Sequence, residues 1–337
     1  MNDFLNTARE IRENSSEKDC FNKVFDAIEK LRVVHYKSYL DLDNIESVFG
    51  AIEMGRLIGG IGNHKLEEIK EWDKSIRKVI LKTLETSIKY PVRDKSAYPP
   101  KPYDEFTQLI MDIKSGSGND DCSILTFNYD ITIDYAFNYS GLPIDYCLSG
   151  QTNSSSLKLL KLHGSLNWGK CEKCESIVSW KISEFFSKYH WQLWSDTKYQ
   201  TLDIGSRLKE HQHCNCPLSD EPFLVPPTWN KTERQNHLTN VWGQAARELS
   251  EAENIFIIGY SFPESDLFFK YLFALGTIGK AYIHRIWIFN PDSSNEVQER
   301  YKKLLGTGIR KQYRYELMTF EKAIPFIRNE LKIRTNH

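Results

Sequence analysis

The 337-residue sequence predicts an α/β protein: a mostly parallel sheet with helices on both faces, a helical layer before it and a small Cys-rich module inserted into it. Three observations carry this prediction. Residues 1 to about 117 show helical periodicity, broken by proline and glycine loops. From Cys122 onward, short apolar strands alternate with amphipathic helix-length stretches, the rhythm of a parallel sheet covered on both faces. That rhythm is interrupted over residues 169 to about 222, where the pairs Cys171-x-x-Cys174 and Cys214-x-Cys216 fall. The division expected is a helical part over 1–118 and a sheet-bearing part over 119–337.

Composition narrows the class. Hydrophobic residues make up 40% and charged residues 26%, as in an ordinary globular protein. The net charge of −1 provides no overall field toward nucleic acid or an anionic membrane, so neither is an expected partner. No apolar run approaches the roughly 20 residues that span a bilayer. The start, Met1-Asn2-Asp3, lacks the apolar core of a signal peptide, so the expected location is cytoplasmic. In such a compartment, close cysteine pairs suggest metal ligation rather than disulfides. Cys20, Cys122 and Cys147 read instead as small buried hydrophobes.

The elements follow in order. Leu5 to Asn14 and Phe21 to Leu31 carry apolar residues at helix spacing. Asn44 is an N-cap candidate for the helix through Ile52. Leu66 to Ile88 aligns Ile69, Trp72, Ile76, Val79, Ile80 and Leu84 on one face. Pro91, Pro99, Pro100 and Pro102 mark a loop before a helix over Tyr103 to Ile113. Strands are expected at Cys122–Phe127, Leu157–Leu162, Asn254–Gly259 and His284–Phe289, with an edge strand at Gln312–Met318. Lys158 and Lys161 make the second the least apolar of the set. Helices are expected at Ile131–Asn138, Asn236–Ala252, Glu264–Leu275, after Asp292 through Leu305, and at Phe320–Leu331.

Each of the first four strands ends in a small or polar cluster: Asn128–Asp130, His163–Ser165, Gly259–Ser261 and Asn290–Asp292. A doubly wound sheet collects its carboxyl ends along one crevice, where nucleotides bind. His163 at such an end can exchange a proton near neutral pH; a histidine there can also be a core group satisfied by backbone.

The cysteine pairs suit a tetrahedral thiolate site that holds a module together. The candidate ligands are Cys171, Cys174, Cys214 and Cys216, with His211 or His213 able to replace one thiolate. A degraded site and unrelated cysteines remain the alternatives. Phe223–Lys231, with Pro226-Pro227-Thr228-Trp229, reads as a strand leading into a loop or as a rigid turn.

Taken together, Thr126-Phe127-Asn128-Tyr129-Asp130, Leu162-His163-Gly164-Ser165, the two cysteine pairs, Gly259-Tyr260-Ser261 and Asn290 resemble the sirtuins, and more closely a divergent bacterial sirtuin-like group. The resemblance covers roughly residues 120 to 295. It implies a Rossmann-like domain that binds NAD, with an inserted structural zinc module. It also implies roles: His163 as catalytic base, Asn128 and Asp130 beside the nicotinamide ribose, Thr126 at the same strand end. Gly259 and Ser261 would line the phosphate and ribose, and Asn290 would meet the adenosine half.

The family's Gly-Ala-Gly-x-Ser turn has no counterpart in this sequence. Gly55 to Gly62 is glycine-rich but follows a helical pattern. Asn44-Ile45-Glu46 resembles the segment downstream of the turn. Residue 1 is therefore expected to lie past the first βα unit. A truncated start, a partner chain supplying the unit and a lost cofactor site each account for this. The function expected is NAD hydrolysis with release of nicotinamide, as in anti-phage effectors that deplete NAD, in a homo-oligomer or with a partner subunit. The alternatives are an inactive nucleotide-binding or scaffold module and an NAD-dependent lysine deacylase.

Overall fold

The computed structural model describes residues 4–94, 96–116, 122–151, 153, 155–189, 198–225, 237–263, 266–279 and 281–333. The helices relevant to the site are α1 (Phe4–Asn14), α2 (Lys18–Leu31), α3 (Ile45–Ile58), α4 (Leu66–Ser87), α5 (Lys101–Lys114) and α6 (Thr132–Tyr139). They are followed by α7 (Ile182–Tyr189), α8 (Thr239–Glu251), α9 (Leu267–Gly276), α10 (Glu296–Leu304) and α11 (Phe320–Glu330). The strands relevant to the site, numbered in chain order among themselves, are β1 (Ser123–Thr126), β2 (Ile144–Asp145), β3 (Leu157–Lys161), β4 (Gly164–Ser165), β5 (Trp168–Lys170) and β6 (Ile177–Ser179). Then come β7 (Gln212–His213), β8 (Cys216–Pro217), β9 (Phe223–Leu224), β10 (Asn254–Ile258), β11 (Arg285–Phe289) and β12 (Tyr313–Glu316). The chain forms two compact units. One comprises residues 1–98, 128–131 and 163–237; the other comprises 99–127, 132–162 and 238–337.

The first unit is built on α4, which packs against α1, α2 and α3. Its buried face carries Ile69, Trp72, Ile76, Val79 and Ile80, the stripe expected from the sequence. Asn44 caps α3: its side chain accepts from the Glu46 backbone N–H at 2.9 Å. Arg77 on the same helix is fully buried and donates to Asp73 at 2.9 Å, to Glu53 and to the Leu224 carbonyl. A buried guanidinium needs such a complete set of acceptors. Here that set fastens the strand β9 to the helical layer.

The second unit is α/β. Strands β2, β3 and β1 form one parallel sheet, in the order β1-β3-β2, and β10, β11 and β12 form another in that order. The helices α9, α10 and α11 follow β10, β11 and β12 in turn, giving βαβ connections. Both faces of β11 are covered. Trp287 and Phe289 pack with Leu109 of α5 and with Ala323, Ile324 and Ile327 of α11. Ile288 packs with Val297 and Tyr301 of α10 on the opposite side. This is the α/β class the alternating pattern predicts. Gln312–Met318 is an edge strand as expected, trimmed to Tyr313–Glu316.

Candidate functional site

The first unit joins two of the expected clusters. β4 pairs antiparallel with β9, Gly164 opposite Leu224 and Ser165 opposite Phe223. Gly164 has φ +87°, and a Cβ there would lie 2.0 Å from the Phe223 carbonyl oxygen. Only glycine fits this left-handed turn at such close backbone approach. His163, just before it, is 3% exposed. Its carbonyl accepts from the Val225 N–H at 2.9 Å.

The segment Asn128–Ile131 belongs to the same unit. The Tyr129 hydroxyl donates to the Val225 carbonyl at 3.0 Å, and the Leu166 N–H donates to the Tyr129 carbonyl at 3.0 Å. The Tyr129 ring lies 6.2 Å from the His163 imidazole. Asn128 and Asp130 therefore flank a residue hydrogen-bonded to the turn that carries His163. Asn128 is exposed and Asp130 half-buried. Tyr129, the middle residue of the motif, is the anchor.

The second unit joins other strand ends. The Gly259 N–H donates to the Phe289 carbonyl at 2.8 Å, and Gly259 has φ +70°. Asn290 is buried; its Nδ2 donates to the Tyr260 carbonyl at 3.4 Å and its Oδ1 accepts from the Asp292 N–H at 2.9 Å. Ser261 is exposed, and its carbonyl accepts from Arg300 Nε at 3.1 Å. Gly259, Ser261 and Asn290 are thus neighbours. Thr126 closes β1 opposite Lys161 of β3, and its carbonyl accepts from the Leu162 N–H at 2.9 Å. Arg300 is absent from the sequence expectations: a cation within an amphipathic helix has no local signature. The hydrogen bonds of the Ser294 backbone and hydroxyl hold the Asp292 carboxyl below its usual range.

The cysteine cluster lies in the first unit. Ligand atoms of Cys171, Cys174, His213 and Cys214 lie within 4.8 Å of one another. His213 Nδ1 is 3.4 Å from the Cys174 sulfur and 3.3 Å from that of Cys214. Two ligands of one tetrahedral zinc, N and S, sit about 3.6 Å apart, so the donor set fits the ion. Three thiolates and an imidazole close the coordination sphere and leave no open position, which suits a structural site. Backbone N–H groups hold the Cys171 and Cys174 thiols below their ordinary value, while burial pushes Cys214 up.

The four clustered side chains include His213, and not the expected Cys216. β7 and β8 form a hairpin whose two turn residues, Cys214 and Asn215, have φ of +54° and +57°. Cys214 projects from the turn into the cluster, whereas Cys216 lies on the returning strand and is not among the four. His213 completes the set. His211, the other candidate substitute, stacks on Trp180 at 5.1 Å, and its burial lowers its basicity. The Pro226-Pro227-Thr228-Trp229 run lies outside the described residues.

Fold and site together define an α/β protein with parallel sheets and a Cys3His cluster capable of holding zinc. No family model and no curated protein matches the chain. Among solved structures it is similar to a Sir2 homologue in complex with NAD, at 16% identity over 82% of this chain and 86% of that one, TM-score 0.39. It is similar to a mutant Sir2 homologue in complex with ADP-ribose, at 16% identity over 80% of each chain, TM-score 0.40. It is also similar to Sir2Tm bound to a propionylated peptide, at 13% identity over 83% of this chain and 90% of that one, TM-score 0.38.

Proposed function

We propose that this chain binds NAD and hydrolyses its nicotinamide–ribose bond. The observation that carries the reading is the hydrogen-bonded block of Asn128–Asp130 with His163–Ser165, held through Tyr129 and Val225. It supports the assignment because the motif resemblance gives these two segments joint roles in one reaction.

In this reading neutral His163 takes a proton from a water molecule as the water attacks the anomeric carbon. The C–N bond to nicotinamide breaks, its electron pair stays on the leaving ring, and ADP-ribose, nicotinamide and a proton result. Asn128 orients the water or the ribose hydroxyls. Asp130 offsets the positive charge that develops on the ribose. The resemblance assigns Gly259, Ser261 and Asn290 to the ribose, phosphate and adenosine contacts, and Thr126 to the cofactor. NAD depletion in anti-phage defence, by a homo-oligomer or with a partner subunit, belongs to the same reading.

The test is nicotinamide release from NAD by the purified protein without any peptide. Release that His163→Ala and Asn128→Ala abolish supports the hydrolase. Release only when an acetylated peptide is added, with loss of its acetyl group, converts the reading to a deacylase. Absence of both release and a thermal shift with NAD refutes NAD chemistry and leaves the scaffold role.

A further inference from the structure

Arg77 on α4 is fully buried, and its guanidinium ends on the strand that pairs with the His163 turn. We infer that Arg77 is a positioning residue for His163, acting through the single peptide group between Leu224 and Val225.

One planar group carries the connection. A trans peptide points its C=O and its N–H to opposite sides. Here the C=O, that of Leu224, accepts from Arg77 Nη1, and the N–H, that of Val225, donates to the His163 carbonyl at 2.9 Å. A rigid plane passes a displacement on one side to the other. It also passes polarisation: a charged donor on the carbonyl strengthens the N–H as a donor in turn. Leu224, Val225 and His163 are all buried, so water does not weaken either bond by screening.

The β4–β9 pair needs support from outside. Each strand has two residues, fewer than an ordinary strand and too few to hold a register alone. Arg77 grips the Leu224 carbonyl, and the Tyr129 hydroxyl grips the next one, that of Val225. Two different elements thus fix two successive carbonyls of this segment.

The guanidinium is itself held on all sides. Its Nε donates to Asp73 at 3.1 Å, and its Nη2 donates to Asp73 at 2.9 Å and to Glu53. The Phe49 ring packs against it, with its centroid 4.5 Å from Cζ. Burying a guanidinium with two carboxylates is weak support for stability, because apolar groups of similar volume often do as well. Apolar groups cannot supply a donor aimed at the Leu224 carbonyl. Arg56 also bonds Asp73, at 3.1 Å, but has no bond to Leu224 among the described residues. All these residues belong to the first unit. The consequence for catalysis rests on the proposed hydrolase reading; the consequence for His163 geometry does not.

The experiment uses the full chain and three variants. Arg77→Leu combined with Glu53→Gln and Asp73→Asn removes the donor without leaving a buried carboxylate unpaired. Arg77→Lys keeps the charge but lacks the fork that serves Leu224 and both carboxylates at once. Arg56→Gln removes the other cation on Asp73 and spares the Leu224 bond. Urea midpoints identify the variants that fold like the parent. The readouts are kcat and KM for nicotinamide release, and the His163 imidazole resonances in a histidine-labelled spectrum, assigned with His163→Gln. Both Arg77 variants are expected to lose about 10–100-fold in kcat with KM within about twofold, the smaller loss in Arg77→Lys. Both should shift the His163 resonances, whereas Arg56→Gln matches the parent in every readout. Unmoved His163 resonances in a folded Arg77 variant, an unchanged kcat, or an equal kcat loss in Arg56→Gln overturns the proposal. A parent that releases no nicotinamide refutes the hydrolase reading instead, and the His163 resonances then decide the positioning role.

Discussion

The carboxylate of Glu85 on α4 accepts two hydrogen bonds from Ser206, one from its backbone N–H at 3.1 Å and one from its hydroxyl. Ser206 lies in the short 3-10 turn Gly205–Glu210, which runs directly into His211–Cys214. The helical layer is thereby fastened to the segment that supplies two ligands of the cysteine–histidine cluster. Burial pushes the Glu85 carboxyl up to about 7, and the Ser206 bonds only partly oppose it.

That shift predicts a pH dependence with an unusual sign for a carboxyl group. Between about 4.5 and 7 the folded chain keeps a proton on Glu85 that the unfolded chain has released. Stability from this group is therefore full below about 4.5 and falls as pH rises through about 7. A shift of this size corresponds to roughly 3 kcal/mol. Urea unfolding across pH 4.5 to 8 measures it, and Glu85→Gln should flatten that part of the profile. An unchanged slope in the variant would show that Glu85 is not the group responsible.

The metal cluster predicts one zinc per chain. Elemental analysis should find that Cys171→Ser or His213→Ala loses the ion, whereas Cys216→Ser retains it. Chelation should lower the melting temperature, because binding energy at a structural zinc is folding energy. Retention of zinc by His213→Ala with loss in Cys216→Ser would restore the four-cysteine set.

Much of this architecture is legible in the chain because it depends on periodicity. The helix over Leu66–Ser87 and the strands over Asn254–Ile258 and Arg285–Phe289 lie within a residue or so of the pattern. The Asn44 cap is visible because capping is local. Residues 163–225 are harder. β4 and β9 have two residues each and lie more than fifty residues apart, so neither leaves a pattern in sequence. Tyr129 reads as a spacer between Asn128 and Asp130, and its anchoring role rests on a bond to a residue 96 positions away. That His213 rather than Cys216 joins the cluster goes with the left-handed turn at Cys214 and Asn215, which cysteine spacing does not encode.

Gly164→Ala is predicted to be among the most damaging single-methyl changes in the first unit. The added carbon meets the Phe223 carbonyl at 2.0 Å in a left-handed conformation, so β4 and β9 must part. The expected cost is ~2 kcal/mol or more in unfolding free energy. Because His163 precedes the turn, nicotinamide release should fall with it under the proposed function. A variant as stable as the parent would show that the turn can relax without opening the strand pair.

Lys161 is the apparent flaw in an otherwise apolar strand, and the structure accounts for it. Its ammonium is fully buried and donates to Asp134 on α6 at 2.9 Å, while the Tyr146 hydroxyl donates to the other oxygen of that carboxylate at 2.5 Å. The pair ties α6 to β3. Removing one partner leaves an uncompensated buried charge, so Lys161→Met and Asp134→Asn should each destabilise by about 3–5 kcal/mol. Replacing both with apolar residues of similar volume should recover most of that loss. A double-mutant cycle by chemical denaturation measures the coupling. Single variants costing under about 1 kcal/mol would show that water reaches the pair and screens it.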